Sequence, residues 1–257
     1  MYSYRPSTIP VKFCMDDFSV LLAEYNKIIN SSTSLTDSPA VIPILLKHGA
    51  FTPSRLERWS IPAILAEMQS DASYRDRFIQ SFNQLISVHD AAANDAVTLN
   101  EKKGVALLLA TKELLHEFLY PTIKANQRFL LIAIEYSVLP LELCLNLSLP
   151  VAPNCTSIAP KLKSKYPLLI SVLQDPNITH AKDALHRLQA CPSDLEAKLA
   201  LSCACRVLNS RLIYSEIVQA VWNSENTENP ELIKSVLEAV SHCSDLKAFC
   251  EKYLSEE

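Results

Sequence analysis

Glycine is almost missing from this chain: Gly49 and Gly104 are the only two in 257 residues. Hairpin turns, β-bulges and phosphate-binding loops need backbone at positive φ, which glycine alone supplies without steric cost. The same chain carries 15 prolines. That pairing excludes hairpin-rich β folds, dinucleotide-binding folds and P-loops, all of which need glycine at fixed positions. What remains is helix after helix, punctuated by Pro, Ser, Thr, Asn and Asp. The expected fold is all-α: a multi-helix array of short antiparallel helical hairpins, as an irregular bundle or a degenerate, solenoid-like helical repeat.

The helix starts are legible. Ser38 before Pro39, Thr52 before Pro53 and Ser60 before Ile61-Pro62 each put a hydroxyl ahead of a proline in the first turn, where the missing N–H costs nothing. Thr98 to Glu101 and Ser193 to Glu196 fit the capping box, in which two side chains satisfy two otherwise unpaired N–H groups. Asn229 precedes Pro230, and Gly49 follows Leu45, Leu46 and His48 as a left-handed helix stop. Between these marks the apolar period is that of a helix. Phe18, Leu21, Leu22, Tyr25, Ile28 and Ile29 share one face of the first helix. Further helices are predicted over 72–89, 99–119, 123–137, 140–149, 167–173, 180–190, 194–208, 211–223, 230–241 and 245–254.

Residues 1–12 read as a polar tail, and 13–257 as one helical body with soft lobe boundaries near 90–97 and 150–157. Cys191-Pro-Ser-Asp-Leu-Glu-Ala197 is echoed by Cys243-Ser-Asp-Leu-Lys-Ala248, which is what a degenerate repeat or two independent caps produce. Phe129 to Val151 is the most apolar stretch. Glu135, Pro140 and Glu142 interrupt it, so two buried helices are expected there rather than a membrane span.

A hydrophobic fraction of 49% provides for a continuous core, and a net charge of −4 disfavours nucleic acid as a partner. Lys161, Lys163 and Lys165 form the one compact basic tract. The polar N-terminus lacks the apolar segment of a secretory signal, so the eight cysteines read as thiols in a reducing, cytoplasmic compartment.

Two constellations carry possible chemistry. Glu113 and His116 stand three apart, as do Asp183 and His186, and a helix sets such pairs on one face as helical di-iron sites do. Glu135 and Glu142 are the imaginable extra ligands, but they do not lie on two long, well-spaced helices. Cys243, next to His242 and just before a predicted helix start, is the best thiol candidate, because a helix N-terminus favours a thiolate. Cys203 and Cys205 lie two apart and face away from each other. No cofactor is expected. Trp59, Trp222 and Tyr214, with the three lysines, are the candidate partner-binding residues, since aromatic anchors dominate interface energetics.

Val41 to Ala50 (VIPILLKHGA) resembles the second helix and glycine turn of an ankyrin repeat. The Thr-Pro-Leu-His signature of that family is missing, and no function is carried over. The C-terminal Cys250 to Glu257 loosely resembles the acidic tails of some bacterial type IV secreted effectors, which would place the protein in a host cytosol. The leading expectation is a non-catalytic helical interaction protein, an adaptor, scaffold or effector that offers a groove or face to another protein. The alternatives are an all-helical enzyme using a thiol or a helix-borne carboxylate and histidine, and a membrane-associated protein built around 129–149.

Overall fold

The structure is a computed structural model that describes residues 15–29, 34–87, 98–110, 118–145, 147, 149, 151–208, 211–222, 229–243 and 248. The fold is all-α, an irregular array of helices, and the described residues include no strand. The chain divides into two compact units, Met1–His89 with Thr98–Thr122, and Asp90–Val97 with Ile123–Glu257.

The first unit runs through α1 (Met15–Ile28), two 3-10 turns (Leu35–Asp37 and Pro39–Val41), α2 (Ile42–Lys47), α3 (Pro53–Leu56), α4 (Ile61–Ser70), α5 (Ala72–Ile86) and α6 (Leu99–Ala110). α5 is the hub and packs on α2, α4 and α6. Its apolar positions Phe78, Phe82, Leu85 and Ile86 are all buried, as helical spacing demands. Each such side chain contributes roughly 1.5–3 kcal/mol through the area it removes from water. Asp71 starts α5 by accepting the N–H of Ser73 at 2.8 Å. The capping box at α6 is present: Glu101 accepts the N–H of Thr98 at 2.6 Å, and Thr98 Oγ1 accepts that of Glu101 at 3.2 Å. Gly49, at φ 59°, stops α2 as expected. Its N–H reaches Leu46 O at 3.0 Å and that of Ala50 reaches Leu45 O at 2.8 Å, the paired bonds of a left-handed helix end.

The second unit continues with α7 (Tyr120–Ala125, which holds the boundary), α8 (Gln127–Glu135), α9 (Leu141–Cys144), α10 (Cys155–Ile158), α11 (Leu162–Lys165), α12 (Pro167–Gln174), α13 (Ile178–Ala190), α14 (Leu195–Leu208), α15 (Arg211–Trp222) and α16 (Pro230–Val240). α14 is the central rod, packed on α9, α12, α13 and α16. Residues 199–205 of it are buried all round. Small Ala, Ser and Cys side chains at 200 and 202–205 let neighbours close in on every side.

Several local expectations are corrected. The segment predicted as one helix over 123–137 breaks at Asn126, whose side chain accepts the N–H of Phe129 at 2.9 Å and restarts the chain as α8. Among the described residues of the segment predicted over 140–149, the helix is the short Leu141–Cys144. The connection near 150–157 contains the start of α10. Ser38 and Ser60 do not bond the N–H groups of the helices they precede; Ser38 Oγ donates instead to Glu24 Oε2 at 2.8 Å. At α14 the cap is Asp194, which accepts the N–H of Ala197 at 3.0 Å. Glu196, assigned to a capping box with Ser193, turns to another helix. It accepts the N–H groups of Leu168 and Leu169 at 2.8 and 3.1 Å, so it caps α12 across the core, and it pairs with Arg187 at 2.9 Å. A carboxylate is worth more at that buried helix start than on its own exposed turn. The predicted helix over 245–254 apart from residue 248, residues 111–117 of the one over 99–119, and the segment 90–97 lie outside the described residues.

Candidate interaction site

α1 is attached to its unit by the wrong edge for an ordinary amphipathic helix. Asp17 Oδ2 accepts from Lys47 Nζ at 2.8 Å and lies 3.1 Å from His48 Nε2. Glu24, the one buried residue of α1, accepts from Ser38 and Lys27. The Lys27 hydrogen bond, helped by that from Ser38 and opposed by burial, holds the Glu24 carboxyl below the usual carboxylate range. The helix therefore turns its acidic edge to the two 3-10 turns it packs on.

The apolar face looks outward. Met15, Phe18, Leu22, Tyr25 and Ile29 are 82, 54, 48, 50 and 57% exposed. Their separations alternate three and four residues, the a/d spacing of a coiled-coil seam. Leu21 and Ile28 flank the stripe half-buried on one side, and exposed Ser19 and Asn26 flank it on the other. With side chains of this size, the stripe presents roughly 600 Å² of surface, above the few hundred Å² at which a contiguous patch marks an interaction site. Beneath α1 lies a cavity of about 240 Å³, whose lining includes Asp16, Lys47, Arg77 and Gln84. It is smaller than the roughly 300 Å³ at which small-molecule sites begin.

The residues singled out from sequence fall elsewhere. Trp59 is a core residue: it is buried, its indole N–H donates to Thr36 O at 3.1 Å, and its ring lies 5.8 Å from that of Phe51. A buried, satisfied indole packs the fold rather than meeting a partner. Tyr214 is half-buried on α15. Trp222 ends α15, and its side chain lies outside what is described. Lys161, Lys163 and Lys165 are exposed. Two of them close the end of α8: the Lys161 N–H donates to Glu135 Oε2 at 2.8 Å, and Lys165 Nζ donates to Glu135 O at 3.3 Å and to Ser137 Oγ.

Glu113 and His116 lie outside the described residues. Asp183 and His186 are exposed on α13. Among the described residues no three His, Cys, Asp or Glu side chains gather in a metal-holding group. Cys243 is half-buried, and burial pushes its thiol up rather than down. The helix start that would favour its thiolate is not among the described residues. His242 is held below its usual range, by burial first and then by the Arg206 charge. A raised thiol beside a lowered imidazole is a poor nucleophile–base pair at neutral pH. Cys144 and Cys203 are buried, each thiol pushed up to about 12 mainly by desolvation. Among the described cysteines the exposed thiol is Cys191. No described helix is long and apolar enough to cross a membrane.

No protein family, curated protein or solved structure matches this chain. α1 carries the exposed apolar stripe. Sequence reasoning identified its apolar face but not the direction in which it points. The available signal was the strict three-four spacing, narrower than the face of a core helix, with Asp17 and Glu24 placed to pair on the other side.

Proposed function

We propose that this protein is a non-catalytic interaction module whose α1 receives a helix of a protein partner along Met15, Phe18, Leu22, Tyr25 and Ile29. The observation that carries this reading is the outward stripe of exposed apolar residues. A surface helix normally buries such a stripe against its own body. Here the body engages the other edge, where Asp17 and Glu24 are paired and Val20, Leu21 and Ile28 are half-buried. The apolar face is thus left for something outside the unit.

The spacing favours a helical partner, because alternate steps of three and four give knobs for the holes of another helix. A lipid surface is disfavoured by charge: α1 carries Asp16, Asp17 and Glu24 against the single Lys27, whereas interfacial membrane helices are rich in Lys and Arg on the polar face. A photo-cross-linking residue at Leu22, in the full chain inside cells, tests the reading. The expected result is a covalent adduct with a protein, lost when Phe18→Glu is added. A cross-linker that captures no protein in either version would defeat it.

A further inference from the structure

We infer that the helix received by α1 is α1 of a second copy of this chain, so that the protein self-associates through an isologous pair of α1 helices; this rests on the interaction reading above. Three observations select that occupant. The first is area. A stripe of roughly 600 Å² fully covered by its own copy buries up to about 1,200 Å², within reach of the ~1,000 Å² expected of a specific interface.

The second is the seam. Taking Met15, Leu22 and Ile29 as a positions and Phe18 and Tyr25 as d positions, the flanking e and g positions are Ser19, Asn26, Leu21 and Ile28. Charges at e and g are what make helix pairs reject their own kind and choose another. None is present, so two copies meet without repulsion and with further apolar contact from Leu21 and Ile28. The acidic groups Asp17 and Glu24 lie off the seam, on c positions, and are neutralised within the unit by Lys47 and Lys27. The third is preorganisation. α1 is already a formed helix fixed at both ends of its polar edge, at Asp17 and at Glu24, so pairing spends little on ordering the chain. A self-complementary patch of this kind closes as a two-fold dimer, the commonest assembly of soluble proteins.

Sedimentation equilibrium of the full chain tests this from about 1 to 500 µM, a range suited to an interface at the small end of specific association. The expected result is a monomer–dimer equilibrium weakened by more than about tenfold in Phe18→Glu and in Leu22→Glu. Leu212→Glu, at an exposed leucine in the other unit, should leave it unchanged. All of these side chains are at least half exposed or nearly so, and an unchanged circular dichroism melt verifies that each variant folds. A dimer indifferent to Phe18→Glu and Leu22→Glu would overturn the inference. So would a monomer across the whole range. If that monomer still cross-links from position 22 to a different protein, the interaction reading survives and only the second copy is lost. If position 22 cross-links only within its own chain or to nothing, both fall. A cross-link from position 22 to residues 15–29 in a species of doubled mass supports the pairing.

Discussion

Ser137 occupies a backbone position that glycine would normally fill. Its φ is 56°, and among the described non-glycine residues it alone has positive φ. It ends α8 as Gly49 ends α2: the N–H of Ser137 reaches Ile134 O at 3.0 Å and that of Val138 reaches Ala133 O at 2.9 Å. A side chain in the left-handed region costs roughly 1–2 kcal/mol. The hydroxyl recovers part of that by accepting from Lys165. Ser137→Gly should therefore stabilise the protein by about 0.5–1 kcal/mol in a urea melt. Gly49→Ala should destabilise it by about 1 kcal/mol. The nearest atom to an added Cβ at Gly49 is 3.5 Å away, so that cost would lie in the backbone rather than in a clash. Equal and near-zero shifts at both sites would show that neither helix end depends on its left-handed residue.

At the scale of elements, the attachment of α1 includes two carboxylates, Asp17 and Glu24, that are paired within its unit. The Glu24 carboxyl has a lower pKa in the folded protein than its ordinary value. Its contribution is then complete above the ordinary carboxylate range, about pH 5 and up, and is lost as the pH falls through the folded value. Amide hydrogen exchange, corrected for the intrinsic effect of pH, should show α1 losing protection on acidification before α5 does. Glu24→Gln keeps the shape and an acceptor for Ser38 but removes the titration. That variant should start with lower α1 protection at neutral pH and lose less of it on acidification. The Asp17 pairs remain in both proteins, so the difference between them isolates Glu24. Identical acid profiles would mean that Glu24 does not hold the helix.

For the whole molecule, stability rests on the buried core of each unit, and a substitution in each core reports on it. Leu108 faces the first core and Leu131 the second, and both are fully buried. Leu108→Ala and Leu131→Ala should each cost about 2–5 kcal/mol, the transfer term plus the cavity left behind. A loss under about 0.5 kcal/mol at either site would show that its core can close over the gap. Against that, exposed Phe18, Leu22 and Ile29 should tolerate polar replacement with little change in the melt, because they remove nothing from the core.

The near-absence of glycine and the proline-marked starts determined an all-helical chain by themselves, because both act through local backbone sterics. Thr98, Glu101, Asn229 and Gly49 were legible for the same reason: the groups they satisfy lie within a few residues. Glu196 was not, since the N–H groups it caps belong to Leu168 and Leu169 and come near only when α12 packs on α14. Ser38 left its own turn for Glu24 on the same ground. The direction of α1 was decided at that level too. Helical periodicity fixes which side chains share a face, and it assigns Phe18, Leu22 and Tyr25 to one stripe. Whether that stripe turns inward depends on what the rest of the unit offers. Here Lys47, His48 and Ser38 offer partners to carboxylates, so the acidic edge docks and the apolar one is left outside.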